Sequence, residues 1–403
     1  MKPADELKIK QFWEKHNICE KARNMRKGAK KFYFLDGPPY ASGNIHMGTA
    51  WNKILKDVFI RFWRMKGFDV WDQPGYDTHG LPIEKKVEAL LKFKTKAEIE
   101  KYGIEKFNKQ CKKFATEHIS TMNSEFADLG VWMDWENAYL TLDNQYIESA
   151  WHTFKIAFQK GLLYKGLYPV HVCPTCETAV AYNEIEYKKM ADPSIFIKFP
   201  VVGEENTFLL IWTTTPWTLL ANTGVMANPN AEYVKIKFEG NEQLIIANDL
   251  VEKVFGDKPY KIVEKIKGKK LEGMKYKNPL SDFIGFSDEI EAGYRVVLSE
   301  QFVSLEDGTG LVHCAPGHGK EDYKVGVDNK LPMVCHVLLN GTFDNKCGRF
   351  SGINAREANK EIIAELDQKG YLLQEEKIVH DYPCCWRCDS QLLMISVFQW
   401  FSK

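Results

Sequence analysis

The sequence has no run of 18 or more consecutive apolar residues, the length that a membrane-spanning helix requires, so we expect no membrane span. It has no excess charge of either sign, because 54 Lys and Arg residues match 54 Asp and Glu residues. Charge alone therefore gives no support for nucleic-acid binding, although a local basic groove is compatible with zero net charge. The first residues are polar and lack the apolar core of a secretory signal, which predicts a cytoplasmic location.

Length and composition indicate a globular protein of several domains. At roughly 150 residues per domain, 403 residues suggest two or three domains. No internal repeat or low-complexity stretch is present. There are ten cysteines. In a chain expected to be cytosolic, cysteine pairs at short spacing favour a metal over disulfides.

The segment between residues 32 and 71 predicts a strand, a loop, a helix and a second strand. An apolar run at 32–35 stops at Asp-Gly-Pro-Pro, and a helical pattern begins near His46 and ends at Gly67. A second apolar run follows at 68–71. This order is the βαβ unit of a parallel, Rossmann-like nucleotide-binding sheet. The fold class that we predict is therefore α/β.

After long helical patterns at 105–129 and 144–160, the character of the sequence changes near 191–193. Short β-rich runs then alternate with turns, and one helix is predicted at 354–369. We expect a mostly-β insertion with its own core. The final apolar run, from residue 392, predicts a strand with no turn after it, and we interpret the chain as cut within a domain.

The loop before the predicted helix has the features of a phosphate site. His46, Gly48 and Thr49 stand where the helix begins, and helix N-termini attract phosphate through free N–H groups and a positive dipole end. Gly48 lets a ligand approach the backbone, and His46 can donate to phosphate oxygens as charge develops. The alternative is a Pro/Gly turn that caps an amphipathic helix, with His46 on the surface.

Two C-x-x-C pairs are widely separated in the sequence. One pair alone is compatible with metal, with redox chemistry or with chance, but two pairs favour a structural zinc held by four thiolates. The candidate ligands are Cys173, Cys176, Cys385 and Cys388. Cys384 competes with Cys385, which we prefer because it repeats the spacing of the first pair. An inserted domain between the pairs would explain their separation.

Two segments of the β-rich region stand out. One is a threonine run, Thr213, Thr214 and Thr215, and the other is a glycine-rich segment that holds His313 and Asp322. Taken alone, a threonine run is ordinary strand-forming sequence, and a glycine-rich loop is often structural.

The segment DGPPYASGNIHMGTAWNKILKD resembles the HIGH-motif region of class I aminoacyl-tRNA synthetases of the isoleucine, valine and leucine group. A second segment, QPGYDTHGLPIEKKVE, is similar to the isoleucine enzymes. Valine enzymes read more like PGTDHAG here, and leucine enzymes more like GWDAFGLPAE. With the cysteine pairs and the two segments of the β-rich region, the resemblance extends from about residue 10 to the end of the chain.

This resemblance implies that isoleucine attacks the α-phosphorus of ATP, normally with Mg²⁺, and is then transferred to tRNA(Ile). His46 corresponds to the first His of the HIGH motif, and Thr49 stands where many members have the second, so both are candidate catalytic residues. Asp77 is implied to bind the substrate ammonium, beside Gly37 and Pro38. The implied ATP-binding residues are Pro39, Tyr40, Gly43, Asn44, His46, Gly48 and Thr49.

The resemblance also implies hydrolytic editing of valyl-tRNA(Ile). One methylene in an apolar pocket changes binding by only about 1–3 kcal/mol, so a second, smaller pocket is needed to reject valine. The three threonines would line that pocket, Asp322 would bind the ammonium of the wrong amino acid, and His313 would help to define the pocket. The implied domains are the first half of the catalytic domain at 1–164, zinc-knuckle strands at 165–192 and 380–403, and the inserted editing domain at 193–379.

Two other classes of protein share part of this pattern. A free-standing deacylase would need the editing segments only, and a zinc-stapled RNA-binding relative would need neither His46 nor Asp77. Within the synthetases, the valine enzyme is the alternative, and THGLPIE after Asp77 disfavours it. The family's KMSKS signature and an anticodon-binding domain are absent from the sequence. We therefore expect the 403 residues by themselves to activate isoleucine poorly.

Overall fold

The computed structural model describes residues 3–238, 240–284, 290 and 293–403. The chain forms two compact units, of which the first runs to Leu163 and includes Lys403, and the second is Tyr164–Ser402. The predicted finer division into four segments stays a prediction. None of the described helices combines the length and the apolar character needed to cross a membrane. The helices are α1 Pro3–Lys15, α2 Ile18–Asn24, α3 Met47–Met65, α4 Leu81–Leu91, α5 Lys96–Tyr102, α6 Ile104–Asp128, α7 Asn144–Gln159, α8 Val251–Phe255, α9 Lys320–Asp328 and α10 Asn359–Gln368.

The strands are short in the first unit and longer in the second. They are β1 Lys31–Tyr33, β2 Asp69–Trp71, β3 Gly75–Tyr76, β4 Tyr139–Leu140, β5 Leu163–Cys173, β6 Thr178–Ala179, β7 Ile185–Pro200, β8 Thr207–Thr213, β9 Gly224–Ala227, β10 Glu232–Lys237, β11 Gln243–Ala247, β12 Lys261–Lys267, β13 Arg295–Leu298, β14 Leu311–Cys314, β15 Leu372–Cys385 and β16 Leu393–Ser402.

The first unit contains the predicted βαβ arrangement. Strands β1 and β2 pair in parallel, from Lys31 opposite Asp69 to Tyr33 opposite Trp71, and α3 connects them. Gly67 follows α3 with φ +90°, a backbone conformation that glycine adopts without strain. Strands β3 and β4 also pair in parallel. The prediction of a mixed α/β unit with parallel strands is therefore confirmed.

Helix α3 is oriented differently from what its apolar pattern suggests. The residues that it buries are Lys53, Asp57, Ile60 and Arg64. Its large apolar side chains Trp51, Ile54, Leu55, Val58 and Phe62 are exposed. Since buried charges are costly unless they are paired, each of these polar residues requires a partner.

The second unit is built on a nine-stranded sheet, as the β-rich runs predict. Its order is β12-β10-β11-β8-β14-β9-β13, and β7 joins β8 while β15 joins β7. Most predicted runs become strands, but the run at 294–303 forms a strand only over Arg295–Leu298. The helix predicted at 354–369 begins later, at Asn359.

The change of character predicted near residues 191–193 is not a break in the structure. Strand β7 runs through this segment and pairs antiparallel with β15, from Ile197 opposite Leu372 to Ile185 opposite Cys385. Pro193 is accommodated within this ribbon opposite Lys377. The second cysteine pair therefore stands at one end of a continuous two-stranded ribbon.

Candidate functional sites

A cavity of about 580 Å³ opens beside the start of α3 in the first unit. Its walls include every predicted ATP-binding residue and two of the three predicted amino-acid-binding residues. The lining residues are Gly37, Pro38, Pro39, Tyr40, Ser42, Gly43, Asn44, His46, Gly48, Thr49, Asn52, Lys53, Lys86 and Met122. The loop after β1 is held in place in part by Glu125 of α6, whose carboxylate accepts from the Ile45 N–H at 2.8 Å.

His46 caps α3 with its own side chain. The imidazole Nδ1 accepts hydrogen bonds from the N–H groups of Gly48 at 3.1 Å and Thr49 at 3.4 Å. Because Nδ1 accepts, the proton of the neutral ring lies on Nε2, which is the atom left to donate to an anion. The N–H groups of Gly48 and Thr49, which the sequence offered as phosphate donors, are therefore already bonded to His46.

Gly48 makes this cap sterically possible. A Cβ at this position would lie 3.0 Å from Cε1 and 3.2 Å from Nδ1 of His46. The glycine therefore makes room for the imidazole as well as for a ligand.

Asp77 lies directly beside the same loop. Its N–H donates to the Pro39 carbonyl at 2.8 Å, and its carbonyl accepts from the Ala41 N–H at 3.0 Å. Its carboxylate accepts from the Thr141 hydroxyl at 3.2 Å. The structure thus brings the backbones of Asp77 and the loop together, but the Asp77 side chain is not part of the wall of the 580 Å³ cavity.

Two lysines also line this cavity, which the sequence reasoning missed. Lys53 and Lys86 line it with His46, and among the described residues no carboxylate does. Lys53 is buried and forms an ion pair with the fully buried Asp36, which also binds Lys56 at 2.6 Å. Burial lowers the pKa of the Lys53 amine, and Asp36 opposes that shift. Lys53 lies in α3 and Lys86 in α4, so no single sequence pattern links both lysines to the loop.

A second cavity, of about 370 Å³, lies in the second unit. It is lined by all five residues that the sequence proposed for editing: Thr213, Thr214, Thr215, His313 and Asp322. The sheet explains why the threonines and His313 meet, because Trp212 of β8 pairs in parallel with Val312 of β14. The residues that follow them therefore lie side by side at the carboxyl ends of two strands.

Hydroxyl groups form a chain along one wall of this cavity. The Thr215 hydroxyl lies 3.4 Å from that of Thr213 and 3.3 Å from that of Thr218. The Thr218 hydroxyl donates to the Thr215 carbonyl at 2.8 Å and lies 2.7 Å from His313 Nε2. Since Thr218 uses its only proton on the carbonyl, His313 donates to it.

The protonation state of His313 is fixed by its neighbours. The Asn222 amide donates to His313 Nδ1 at 3.1 Å, and the Tyr276 hydroxyl donates to the Asn222 carbonyl oxygen at 2.6 Å. Burial lowers the pKa of His313 to about 3, so the ring is neutral. Both ring nitrogens are occupied, and His313 therefore supports the wall of the cavity and is not a free base.

His318 and Asp322 also line the cavity, and burial shifts the pKa of each. His318 Nδ1 donates to the Met394 carbonyl at 2.9 Å, which leaves Nε2 without a proton, and burial lowers the pKa of this ring to about 4. Burial raises the pKa of the Asp322 carboxyl to about 7, although the Ala315 N–H donates to it at 3.0 Å. Thr218, Asn222 and His318 were not identified from the sequence, because only the fold reveals their contacts.

The four predicted cysteine ligands converge. The sulfur atoms of Cys173, Cys176, Cys385 and Cys388 all lie within 4.8 Å of one another. Cys388 Sγ is 3.4 Å from Cys173 Sγ and 3.7 Å from Cys176 Sγ. The Cys384 thiol instead donates to the Tyr382 carbonyl at 3.7 Å. Four clustered thiols are a donor set that fits tetrahedral Zn²⁺.

Comparison with known proteins shows the family to which the chain belongs. Residues 8–402 match the model of the family described as tRNA synthetases class I (I, L, M and V), and the chain belongs to this family. It is similar to the isoleucine–tRNA ligase of Pyrococcus furiosus, with 52% identity over 410 residues that cover 99% of this chain and 38% of that protein.

Two further relatives give the same result. The isoleucine–tRNA ligase of Thermococcus kodakarensis is 50% identical over 99% of this chain and 38% of its own length. That of Methanocaldococcus jannaschii is 47% identical over 98% of this chain and 39% of its own length. The chain thus spans less than two fifths of these relatives. A solved leucyl-tRNA synthetase from Agrobacterium radiobacter K84 overlaps 96% of this chain and 48% of its own, with 17% identity and a TM-score of 0.36.

Proposed function

We propose that the chain is part of a cytoplasmic isoleucine–tRNA ligase, in which the first unit binds ATP and isoleucine and the second unit hydrolyses valyl-tRNA(Ile). In the first reaction an isoleucine carboxylate oxygen bonds to the α-phosphorus of ATP, and pyrophosphate leaves. The isoleucyl group of the adenylate then passes to tRNA(Ile). The names of the relatives, isoleucine–tRNA ligases, support this substrate.

The cavity beside α3, lined by His46, Lys53 and Lys86, is the observation that carries the first activity. His46 Nε2, Lys53 and Lys86 surround a space without a described carboxylate, so it suits a polyphosphate. These groups would stabilise the negative charge that develops on the α-phosphate and on the departing pyrophosphate. Mg²⁺, when bound, would neutralise phosphate oxygens, and this lining leaves it to be carried by the nucleotide and water.

Asp77 suits the role of holding the isoleucine ammonium. Its backbone is fixed against Pro39 and Ala41, and the Thr141 hydroxyl orients its carboxylate. A charge-assisted hydrogen bond from the ammonium to this carboxylate would place the amino acid next to the loop. Gly37 and Pro38 would lie beside the side chain of the substrate.

His46→Ala should weaken ATP binding by about 10- to 100-fold, because a hydrogen bond to a charged group is worth about 1.5–3 kcal/mol. The measurement is isothermal titration of the chain with ATP and Mg²⁺. The control is His152→Ala, which removes an exposed histidine of α7. Equal affinities for the His46→Ala variant and the unsubstituted chain, or no ATP binding by the unsubstituted chain at millimolar ATP, would refute the assignment.

The second cavity is the observation that carries editing. Asp322 is a carboxyl group whose ionised form is disfavoured by burial, and a substrate ammonium would supply the missing positive charge. The hydroxyls of Thr213, Thr214 and Thr215 would hold the ester and a water molecule. The water oxygen then bonds to the ester carbonyl carbon, the bond to the ribose oxygen breaks, and valine and tRNA leave.

Asp322→Ala should abolish the preference of the chain for valyl-tRNA(Ile) over isoleucyl-tRNA(Ile). The measurement is the rate of release of the radiolabelled amino acid from each charged tRNA. Asp328→Ala removes an exposed carboxylate at the other end of α9 and should leave the preference intact. If the Asp322→Ala variant still discriminates between the two charged tRNAs as the unsubstituted chain does, Asp322 does not bind the ammonium of the substrate.

We also propose that Cys173, Cys176, Cys385 and Cys388 hold a structural Zn²⁺. Cys173 is the last residue of β5 and Cys385 the last residue of β15, and Cys176 and Cys388 follow them, so the ion would join the ends of these two strands. Its chemistry would be limited to holding four thiolates, because a site closed by four protein ligands leaves no open position.

A further inference from the structure

A second group of metal-ligating side chains lies in the second unit, outside the four-cysteine cluster. Its hairpin is defined by a bridge between Val337 and Phe343, and the Asp344 N–H donates to the His336 carbonyl at 2.8 Å. This register places His336 and Asp344 opposite each other. Cys347 follows in a turn, where its N–H donates to the Asp344 carbonyl at 3.4 Å.

The side chains of these residues converge. A ring nitrogen of His336, a carboxylate oxygen of Asp344 and the sulfur of Cys347 all lie within 4.8 Å of one another. Cys347 is fully buried and His336 is 7% exposed, whereas the Asp344 side chain is 23% exposed and gives access from solvent. Zinc bonds of about 2.0–2.3 Å place the ligand atoms of one ion within about 4 Å of each other, so only a small contraction is needed.

His336 faces Asp344 through Nδ1. This nitrogen lies 3.1 Å from Asp344 Oδ2, so the two atoms share a hydrogen bond that a cation bound between them would replace. Metal binding through Nδ1 uses the tautomer with its proton on Nε2, an atom that is buried without a hydrogen-bond partner among the described residues.

We propose that His336, Asp344 and Cys347 bind a divalent cation of the zinc type. A nitrogen, an oxygen and a sulfur donor together favour Zn²⁺ over Mg²⁺ or Ca²⁺, which prefer oxygen ligands alone. The three protein ligands leave one position for water. The ion would fasten the hairpin to the buried turn that follows it, and Cys347 would lose its proton on binding.

The test is the number of Zn²⁺ ions that the chain retains after exhaustive dialysis, measured by native mass spectrometry. Cys347→Ser and His336→Gln should each lose one equivalent relative to the unsubstituted chain, while the matched control Cys111→Ser should lose none. Cys176→Ser should retain the equivalent that Cys347→Ser loses. Titration with Co²⁺ should give a thiolate absorption band that Cys347→Ser weakens.

Because Cys347 lies in the core, its substitution could reduce Zn²⁺ binding through misfolding alone. A third variant, at a partly exposed residue, separates the two effects. Asp344→Asn changes a partly exposed group and should weaken Zn²⁺ binding at this site at least tenfold with an unchanged circular dichroism spectrum. Equal Zn²⁺ content in all three variants and the unsubstituted chain would overturn the proposal. So would a chain that retains a single equivalent that Cys176→Ser removes.

Discussion

Asp322→Asn is expected to stabilise the chain, by about 4 kcal/mol at pH 8 and by less than about 1 kcal/mol at pH 4. Burial raises the pKa of this carboxyl from 3.8 to about 7, and each pKa unit corresponds to about 1.4 kcal/mol. Because the folded state binds the proton more tightly than the unfolded state, stability falls as pH rises from about 4 to about 7. An uncharged amide avoids this loss and can still accept from the Ala315 N–H.

The measurement is urea-induced unfolding of both chains at pH 4, 6 and 8, with Asp328→Asn as the control for the loss of a carboxylate. A variant that is less stable than the unsubstituted chain at pH 8 would contradict the explanation. The same variant should hydrolyse valyl-tRNA(Ile) without its preference for valine. Together these results would show that the Asp322 carboxylate lowers the stability of the folded chain and is needed for the preference.

The sequence predicted the features that depend on local geometry. His46, Gly48 and Thr49 marked the start of the helix, although the cap by the His46 side chain is a finding of the structure, and the repeated C-x-x-C spacing identified the four converging thiols. The threonine run and His313 could be assigned to one pocket only through the resemblance, since the pairing of β8 with β14 that joins them is a long-range contact.

Other features depend on contacts that no local pattern records. Pro193 suggested a boundary, but β7 continues because β15 supplies its partner strand over the whole length. No sequence pattern marks Thr218 and Asn222 as site residues. Their role follows from their contacts with His313, which only the structure shows. The hairpin that joins His336 to Asp344 was likewise invisible before the register was known.

Helix α3 shows most clearly where the amphipathic rule fails. The rule places apolar residues against the core, yet this helix buries Lys53, Asp57 and Arg64. Each has a charged partner: Lys53 pairs with Asp36, Asp57 with Arg61, and Arg64 with Asp72. Ion pairs have therefore replaced most of the usual apolar contacts of α3, and removing one partner of a pair should cost more than removing the other.

Asp36→Asn should destabilise the chain by about 3–5 kcal/mol, the usual cost of leaving a buried charge without its partner. Asp36 binds both Lys53 and Lys56 and also accepts from the Gly75 N–H at 3.0 Å. Without its charge, Lys53 retains only the faces of nearby aromatic rings, the closest being Phe126 at 5.4 Å. Urea unfolding at pH 7 measures the loss.

Substitution of the other partner of the pair, Lys53, separates this explanation from a simple packing defect. Lys53→Met should cost less than Asp36→Asn, because Lys56 and the Gly75 N–H still compensate Asp36. Raising the pH toward 10 should restore part of the stability of Asp36→Asn, since burial favours the neutral amine of Lys53. Glu105→Gln, which breaks an exposed pair with Lys109, should have no measurable effect. Equal losses in both core variants, independent of pH, would show that shape and not charge compensation holds the loop above α3.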